Sequence, residues 1–234
     1  MTLNIYQHRE MMITLLQDIY KDPSIGSFLG FKGGTAALLF YDLPRFSIDL
    51  DFDLLDHSRE TIVFERIKSI LENYGKLVKV DIKRYTLFYL LSYNNKIQNA
   101  YNVKVEISRR SSGSQFEVRI LLGIPMLVMV MEDMVTNKMV AMLNRIGNAN
   151  RDIFDTWYFL RNRWPINKKL IEERTGMSYK EFLHKCIEAL DNDLINRNIL
   201  SGLGELLTRE QKVWAKSKLR NETIFMLRLA HEYA

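Results

Sequence analysis

The chain has 234 residues, 47% of them hydrophobic and 26% charged, with a formal net charge of +5. That balance describes an ordered globular protein with chain enough for one large core or two smaller lobes, and it excludes a disordered chain. No apolar run approaches the ~20 residues of a membrane span, no signal-peptide core opens the chain, and one cysteine, Cys186, cannot form an internal disulfide, so the cytoplasm is expected.

Apolar residues at helical spacing predict a helix over Ile5 to Tyr20, stopping before Asp22-Pro23. A short helix is expected over Thr35 to Tyr41, broken by Asp42-Leu43-Pro44, and then a strand carrying Asp49 and Asp51. A helix from about Ser58 to Tyr74 ends at Gly75. Leu77 to Ile82 and Thr86 to Tyr93 alternate like paired strands, joined through Lys83 to Tyr85, and Asn94-Asn95 signals a loop. Tyr101 to Ser108 is a further strand, and Gln115 to Ile120 another. Helices are expected from about Glu132 onward, with capping boxes at Ser178-x-x-Glu181 and Thr208-x-x-Gln211. The pattern predicts an α+β protein: an α/β domain over residues 1–124 and an all-α half over residues 125–234.

Residues 33–53 carry the most chemistry. A Gly33-Gly34-Thr35 turn opens the short helix, and glycines there let successive backbone amides form an anion-binding concavity. In the run from Phe46 to Phe52, apolar residues alternate with Ser47, Asp49 and Asp51, so the two carboxylates share one face of a strand. Such a pair is costly unless it is compensated by a cation, and its hard oxygens suit Mg²⁺ bound together with substrate phosphates. A phosphate cradle beside a metal anchor points to phosphoryl or nucleotidyl transfer. Taken separately, a Gly-Gly turn also starts ordinary helices, and Asp-x-Asp also occurs on solvated strands.

Positive charge is local. Between Lys76 and Arg119 stand nine lysines and arginines, Lys96 among them, against three acids. Two explanations have equal weight: edge protection of strands, or a basic wall that steers a nucleotide or an RNA. The methionines Met126, Met129, Met131, Met134, Met139 and Met142 fit adaptable core packing.

Lys32-Gly33-Gly34-Thr35 followed by Arg45-Phe46-Ser47-Ile48-Asp49-Leu50-Asp51-Phe52 resembles the first motif of the AbiEii/AbiGii nucleotidyltransferases. These are the toxin halves of type IV toxin–antitoxin (abortive-infection) pairs, within the DNA polymerase β-like superfamily. A second segment, Lys138 to Arg145 followed by Arg151-Asp152 and Asp155, resembles that family's later motifs. The resemblance spans about residues 20 to 165 and implies a polymerase β-like mixed sheet with flanking helices.

It also implies roles. Asp49 and Asp51 would hold Mg²⁺ or Mn²⁺ on an NTP. Lys32, Gly33, Gly34, Thr35, Arg45 and Ser47 would bind the nucleotide. The pattern Val103-Lys104-Val105-Glu106-Ile107 puts Lys104 and Glu106 opposite the apolar face, and the resemblance nominates Glu106 as the third metal ligand and the group nearest the attacking hydroxyl. The alternative is a solvated Glu106 paired with Lys104 or Arg109. Lys138 and Arg145, seven apart on one helix face, would meet phosphates, with Asp152 first and Asp155 second as supports of the base, the sugar or that lysine. Otherwise Lys138 is a surface lysine, and the two acids complement a helix dipole. The implied reaction transfers NMP from NTP to RNA, such as a tRNA 3′ end, with an antitoxin protein as partner. Transfer to a protein side chain, or a non-catalytic nucleotide-binding module on the same fold, are the rivals.

Overall fold

The computed structural model describes residues 4–93, 102–111, 113–191 and 198–234. The loop expected at Asn94-Asn95, Lys96 of the basic segment and Tyr101 lie outside the described residues. The chain divides into two compact units, one of Met1–Asp42 and Phe46–Met129, the other of Leu43–Arg45 and Val130–Ala234.

In the first unit alternation makes strands. These are β1 (Leu29–Lys32), β2 (Asp49–Leu54), β3 (Lys76–Lys83), β4 (Thr86–Ser92), β5 (Asn102–Ser108), β6 (Phe116–Leu121) and β7 (Ile124–Met129). Together they form one mixed sheet in the order β3-β4-β5-β2-β1-β7-β6. Neighbours pair antiparallel except β2 with β5 and β1 with β7, which run parallel. Leu50, Phe52, Val103, Val105 and Ile107 are all fully buried, while the residues between them turn to the other face. Helices α1 (Ile5–Lys21), α2 (Gly33–Phe40) and α3 (Glu60–Glu72) flank the sheet. Asn4 caps α1 by accepting from the Gln7 N–H, and α1 buries Met12, Leu15, Leu16 and Ile19 at helical spacing. The α+β class and the mixed sheet are those expected from the sequence.

Two strands are additions to the sequence reading. β1 has four residues, too few for alternation to register, and one of them is Gly30. β7 reads as an unbroken apolar run, so its alternate burial, with Pro125 exposed and Leu127 half-buried, leaves no periodic signal in the sequence. It follows β6 through a two-residue turn in which Leu122 and Gly123 both have positive φ, 49° and 81°. A leucine is a poor signal for that left-handed position, so the hairpin does not announce itself.

The second unit is helical: α4 (Met131–Arg145), α5 (Arg151–Arg161), α6 (Lys168–Thr175), α7 (Tyr179–Leu190), α8 (Arg209–Trp214) and α9 (Arg220–Glu232), with a π-helical stretch, Ala215–Leu219, joining the last two. Thr208 and Gln211 form the reciprocal capping box, and the Ser178 side chain accepts from the Glu181 N–H. Cys186 is buried in α7 as a small filler, and burial pushes its thiol up to about 12. Met134, Met139 and Met142 are core residues of α4. Among the described residues no helix is long and apolar enough to cross a membrane.

Candidate functional site

In the first unit, the parallel pairing of β2 with β5 sets the chemistry. Asp49 lies opposite Lys104, Asp51 opposite Glu106, and Asp53 opposite Ser108. Side chains of paired residues share a face, so three aspartates, a glutamate and a lysine converge on the face turned away from Leu50 and Val105. Lys104 Nζ lies 3.2 Å from Asp49 Oδ2 and 2.9 Å from Glu106 Oε2. From the other side of β2, Lys32 Nζ reaches Asp53 Oδ1 at 2.5 Å. Desolvation in this half-buried niche pushes the Asp51 carboxyl above the usual carboxylate range; Asp49 and Glu106 add repulsion, which Lys104 and Lys32 only partly offset. Burial alone would depress the Lys104 ammonium, but Asp49, Glu106 and Asp51 reverse that and raise it.

The Gly-Gly turn abuts this patch. Gly33 has φ 81°, and a Cβ on it would stand 2.5 Å from Asp51 Oδ2, so glycine is needed both for the backbone conformation and for the close approach. The first amides of α2, from Gly33 and Gly34, therefore open beside a carboxylate. Thr35 is buried; its hydroxyl donates to the Asp49 carbonyl and is hydrogen-bonded to the Ser47 hydroxyl at 3.0 Å. Thr35 and Ser47 thus tie α2 to the start of β2 and fix where Asp49 emerges. His8 of α1 donates from Nε2–H to the Ile48 carbonyl at 3.0 Å, on the same strand entry, which sets its tautomer.

The donor set fits a hard divalent cation: oxygen-only ligands, Asp49 and Asp51 two residues apart with Glu106 in register, and an Asp51 carboxylate disfavoured as an uncompensated anion. As the side chains stand, Lys104 bridges Asp49 and Glu106, and among the described residues no three His, Cys, Asp or Glu side chains gather in a metal-binding group.

The second unit holds a separate charged cluster. Lys138 of α4 lies 3.2 Å from Asp152 Oδ1 and 2.8 Å from Asp155 Oδ2, both on α5. Arg45 grips Asp155 with two bonds, 2.5 Å from Nε and 2.6 Å from Nη2. Arg145 Nη2 lies 2.7 Å from Asp152 Oδ2, as an ion pair without hydrogen-bond alignment. Asp152 and Asp155 are fully buried, and the Arg45 side chain is 1% exposed. Burial would raise the Asp155 carboxyl, but Arg45 and then Lys138 outweigh it and hold it at about 2. The two acids are thus buried counter-ions, not decorations of an exposed helix end. Lys138 is 8% exposed, which sets aside the surface-lysine alternative, and Arg145 keeps nearly half its side chain in solvent.

All the residues nominated from sequence thus fall into two sets. Lys32, Gly33, Gly34, Thr35, Ser47, Asp49, Asp51 and Glu106 are in the first unit; Arg45, Lys138, Arg145, Asp152 and Asp155 are in the second. Two participants escaped nomination. Asp53 continues the alternate spacing of Asp49 and Asp51, a visible signal, and Lys104 shares Glu106's face by the same periodicity. Of the two lone pairings considered for Glu106, Lys104 is the one made; Arg109 is bound to Glu60 at 2.6 Å.

The fold has known counterparts. JHP933 from Helicobacter pylori superposes with a TM-score of 0.64 at 21% identity, over 100% of this chain and 94% of that one. MenT4, a nucleotidyltransferase toxin from Mycobacterium tuberculosis H37Rv, superposes with a TM-score of 0.58 at 18% identity, over 95% of this chain and 83% of that one. At such identities the likeness is one of fold. Comparison with curated proteins by sequence finds no match. The family described as nucleotidyl transferase AbiEii toxin, type IV toxin–antitoxin system, matches residues 14–223, nearly the whole chain, and the two motifs read from the sequence fall inside that span. The chain belongs to the AbiEii family of nucleotidyltransferase toxins.

Proposed function

We propose that the protein transfers NMP from an NTP to RNA, at a tRNA 3′ end, in the cytoplasm, and that a cognate antitoxin protein restrains it. The observation that carries the catalytic part is the register of β2 against β5, which sets Glu106 opposite Asp51 on the face that Asp49 shares. Asp49, Asp51 and Glu106 would hold Mg²⁺ or Mn²⁺, which neutralises phosphate charge when bound. The Gly33 and Gly34 amides would donate to the phosphate oxygens at the start of α2, and Thr35 and Ser47 keep the strand that bears the aspartates in place. The acceptor oxygen gives its proton to Glu106 and bonds to the α-phosphorus. The bond from that phosphorus to the bridging oxygen breaks, and pyrophosphate leaves with the electron pair. Lys138 is the second unit's cation assigned to phosphate charge, with Asp152 and Asp155 as its supports. Work of this kind is positioning and electrostatics, so few residues suffice.

Incubating the full chain with Mg²⁺, each labelled NTP, total tRNA and cell lysate tests the reading. Label in tRNA is expected. Label in protein would move the acceptor to a side chain, and label in neither would leave a nucleotide-binding module.

A further inference from the structure

Lys104 has no place in the reaction just described, yet its ammonium sits among the acids that the reaction needs. It bridges Asp49 and Glu106 at 3.2 and 2.9 Å, from a residue directly opposite Asp49 on the parallel ladder, with its side chain 27% exposed. Asp51, between those two acids along the face, is close enough to feel its charge. A cation held this way compensates the carboxylates before any ligand arrives. It also competes for the same oxygens as a divalent metal, and a dication entering beside an ammonium a few ångström away meets like-charge repulsion.

We infer that Lys104 is a built-in counter-cation that keeps free divalent metal out of the Asp49–Asp51–Glu106 site, so that metal is admitted only together with the nucleotide. This rests on the metal-dependent reading above. Phosphates supply what free metal lacks: new anionic oxygens onto which the Lys104 ammonium can shift as it leaves Asp49 and Glu106. Its stem is long and partly solvent-facing, so the shift needs side-chain rotation and no movement of β5. The arrangement would make the order of loading a property of one side chain, and Lys104 a positioning residue for the incoming phosphates.

The test is Mn²⁺ binding, followed by electron paramagnetic resonance on the full-length wild type, Lys104→Met, Lys104→Gln and Lys104→Arg, with and without a non-hydrolysable NTP analogue. Free Mn²⁺ is expected to bind wild type and Lys104→Arg weakly, and Lys104→Met and Lys104→Gln at least about tenfold more tightly. With the analogue present, wild type should bind Mn²⁺ tightly, and the two neutral variants should show weakened affinity for the analogue. Circular dichroism and Tm identify folded variants; Lys104→Gln keeps the length and polarity of the side chain should Lys104→Met not fold. Equal free-Mn²⁺ affinity in wild type and a folded neutral variant overturns the inference while leaving the metal reading intact. Absence of Mn²⁺ binding in every protein, with and without the analogue, overturns both.

Discussion

Glu106 stands directly opposite Asp51 on the parallel ladder between β2 and β5. Two acids in that relation repel, and the repulsion is sharpened because Asp51 is partly withdrawn from solvent. A packed strand pair without a task would place an apolar or oppositely charged partner there, since like charges directly across a ladder destabilise it. The juxtaposition makes sense when a cation is part of the working site.

Replacing Asp49 or Asp51 by asparagine keeps shape and removes charge. Each change should lower turnover by at least ~100-fold, the scale for losing one electrostatic stabiliser at the reacting centre. Neither should weaken the fold, because the acids are compensated and not core packing; for Asp51→Asn the relief of repulsion works in favour of stability. Single-turnover rates with labelled NTP, alongside thermal melts, check this. Near-normal turnover in both variants would remove the carboxylates from the chemistry.

Lys138 tests whether the second cluster serves the nucleotide or only the fold. Both acids it touches keep another cation when it is removed, Asp155 the Arg45 guanidinium and Asp152 that of Arg145. Lys138→Met therefore should shift Tm by only a few degrees, while NTP affinity falls about tenfold, the worth of one charge-assisted hydrogen bond. Titration calorimetry with an NTP analogue measures it. Unchanged affinity with a large loss of Tm would make Lys138 a structural counter-ion.

What the sequence disclosed followed from periodicity. Alternation around Asp49, Asp51 and Glu106 was enough to put the three on strands with a common polar face, and the helical spacing of Lys138 and Arg145 was enough to put them on one helix. Register was not visible, because nothing local says that β5 runs parallel to β2 with Glu106 beside Asp51. That pairing joins segments more than fifty residues apart, and β1, which completes the neighbourhood with Lys32, is too short to alternate. Burial was equally hidden. Arg45 reads as a nucleotide contact in a motif; in the folded unit it is a buried partner of Asp155, 110 residues away. Thr35, likewise nominated for phosphates, spends its hydroxyl on Asp49 and Ser47.

Asp155 makes stability depend on acid. Its folded pKa of about 2 lies below the ordinary value of 3.8, so its stabilisation is complete above that ordinary value and is lost as pH falls through the folded one. The gain is on the order of 2 kcal/mol. Asp155→Asn should cost roughly 3–5 kcal/mol at neutral pH, because Arg45 stays buried while its Asp155 counter-charge is gone. Urea unfolding of wild type and variant should show that gap narrowing between pH 4 and pH 2. A gap independent of pH over that window would mean that folding leaves the Asp155 carboxyl at its ordinary value.

The basic segment divides into residues already occupied and residues turned outward. Arg109 donates to Glu60 at 2.6 Å and to the carbonyls of Lys83 and Arg84 at 2.5 and 2.8 Å, so it braces the turn between β3 and β4. Lys83, Arg84 and Arg110 are exposed; Lys83 lies 3.8 Å above the Phe88 ring, and Arg84 and Arg110 stack over Tyr85 at 4.9 and 4.5 Å. Stacked, exposed cations around a half-open tyrosine suit a single-stranded polyanion, through phosphate contacts and base stacking together. If they meet the acceptor RNA, Arg84→Ala and Arg110→Ala should each reduce the salt slope of tRNA binding by roughly one unit, since released counterions scale with phosphate contacts. NTP affinity should stay as in wild type. Arg109→Ala should instead lower Tm, with its effect on RNA following only from the loosened turn. Fluorescence anisotropy of labelled tRNA across a salt series separates the cases. An unaltered slope in Arg84→Ala and Arg110→Ala would return this strand edge to protection against aggregation, and would direct the search for the acceptor surface to the lysines of the second unit, Lys212, Lys216 and Lys218.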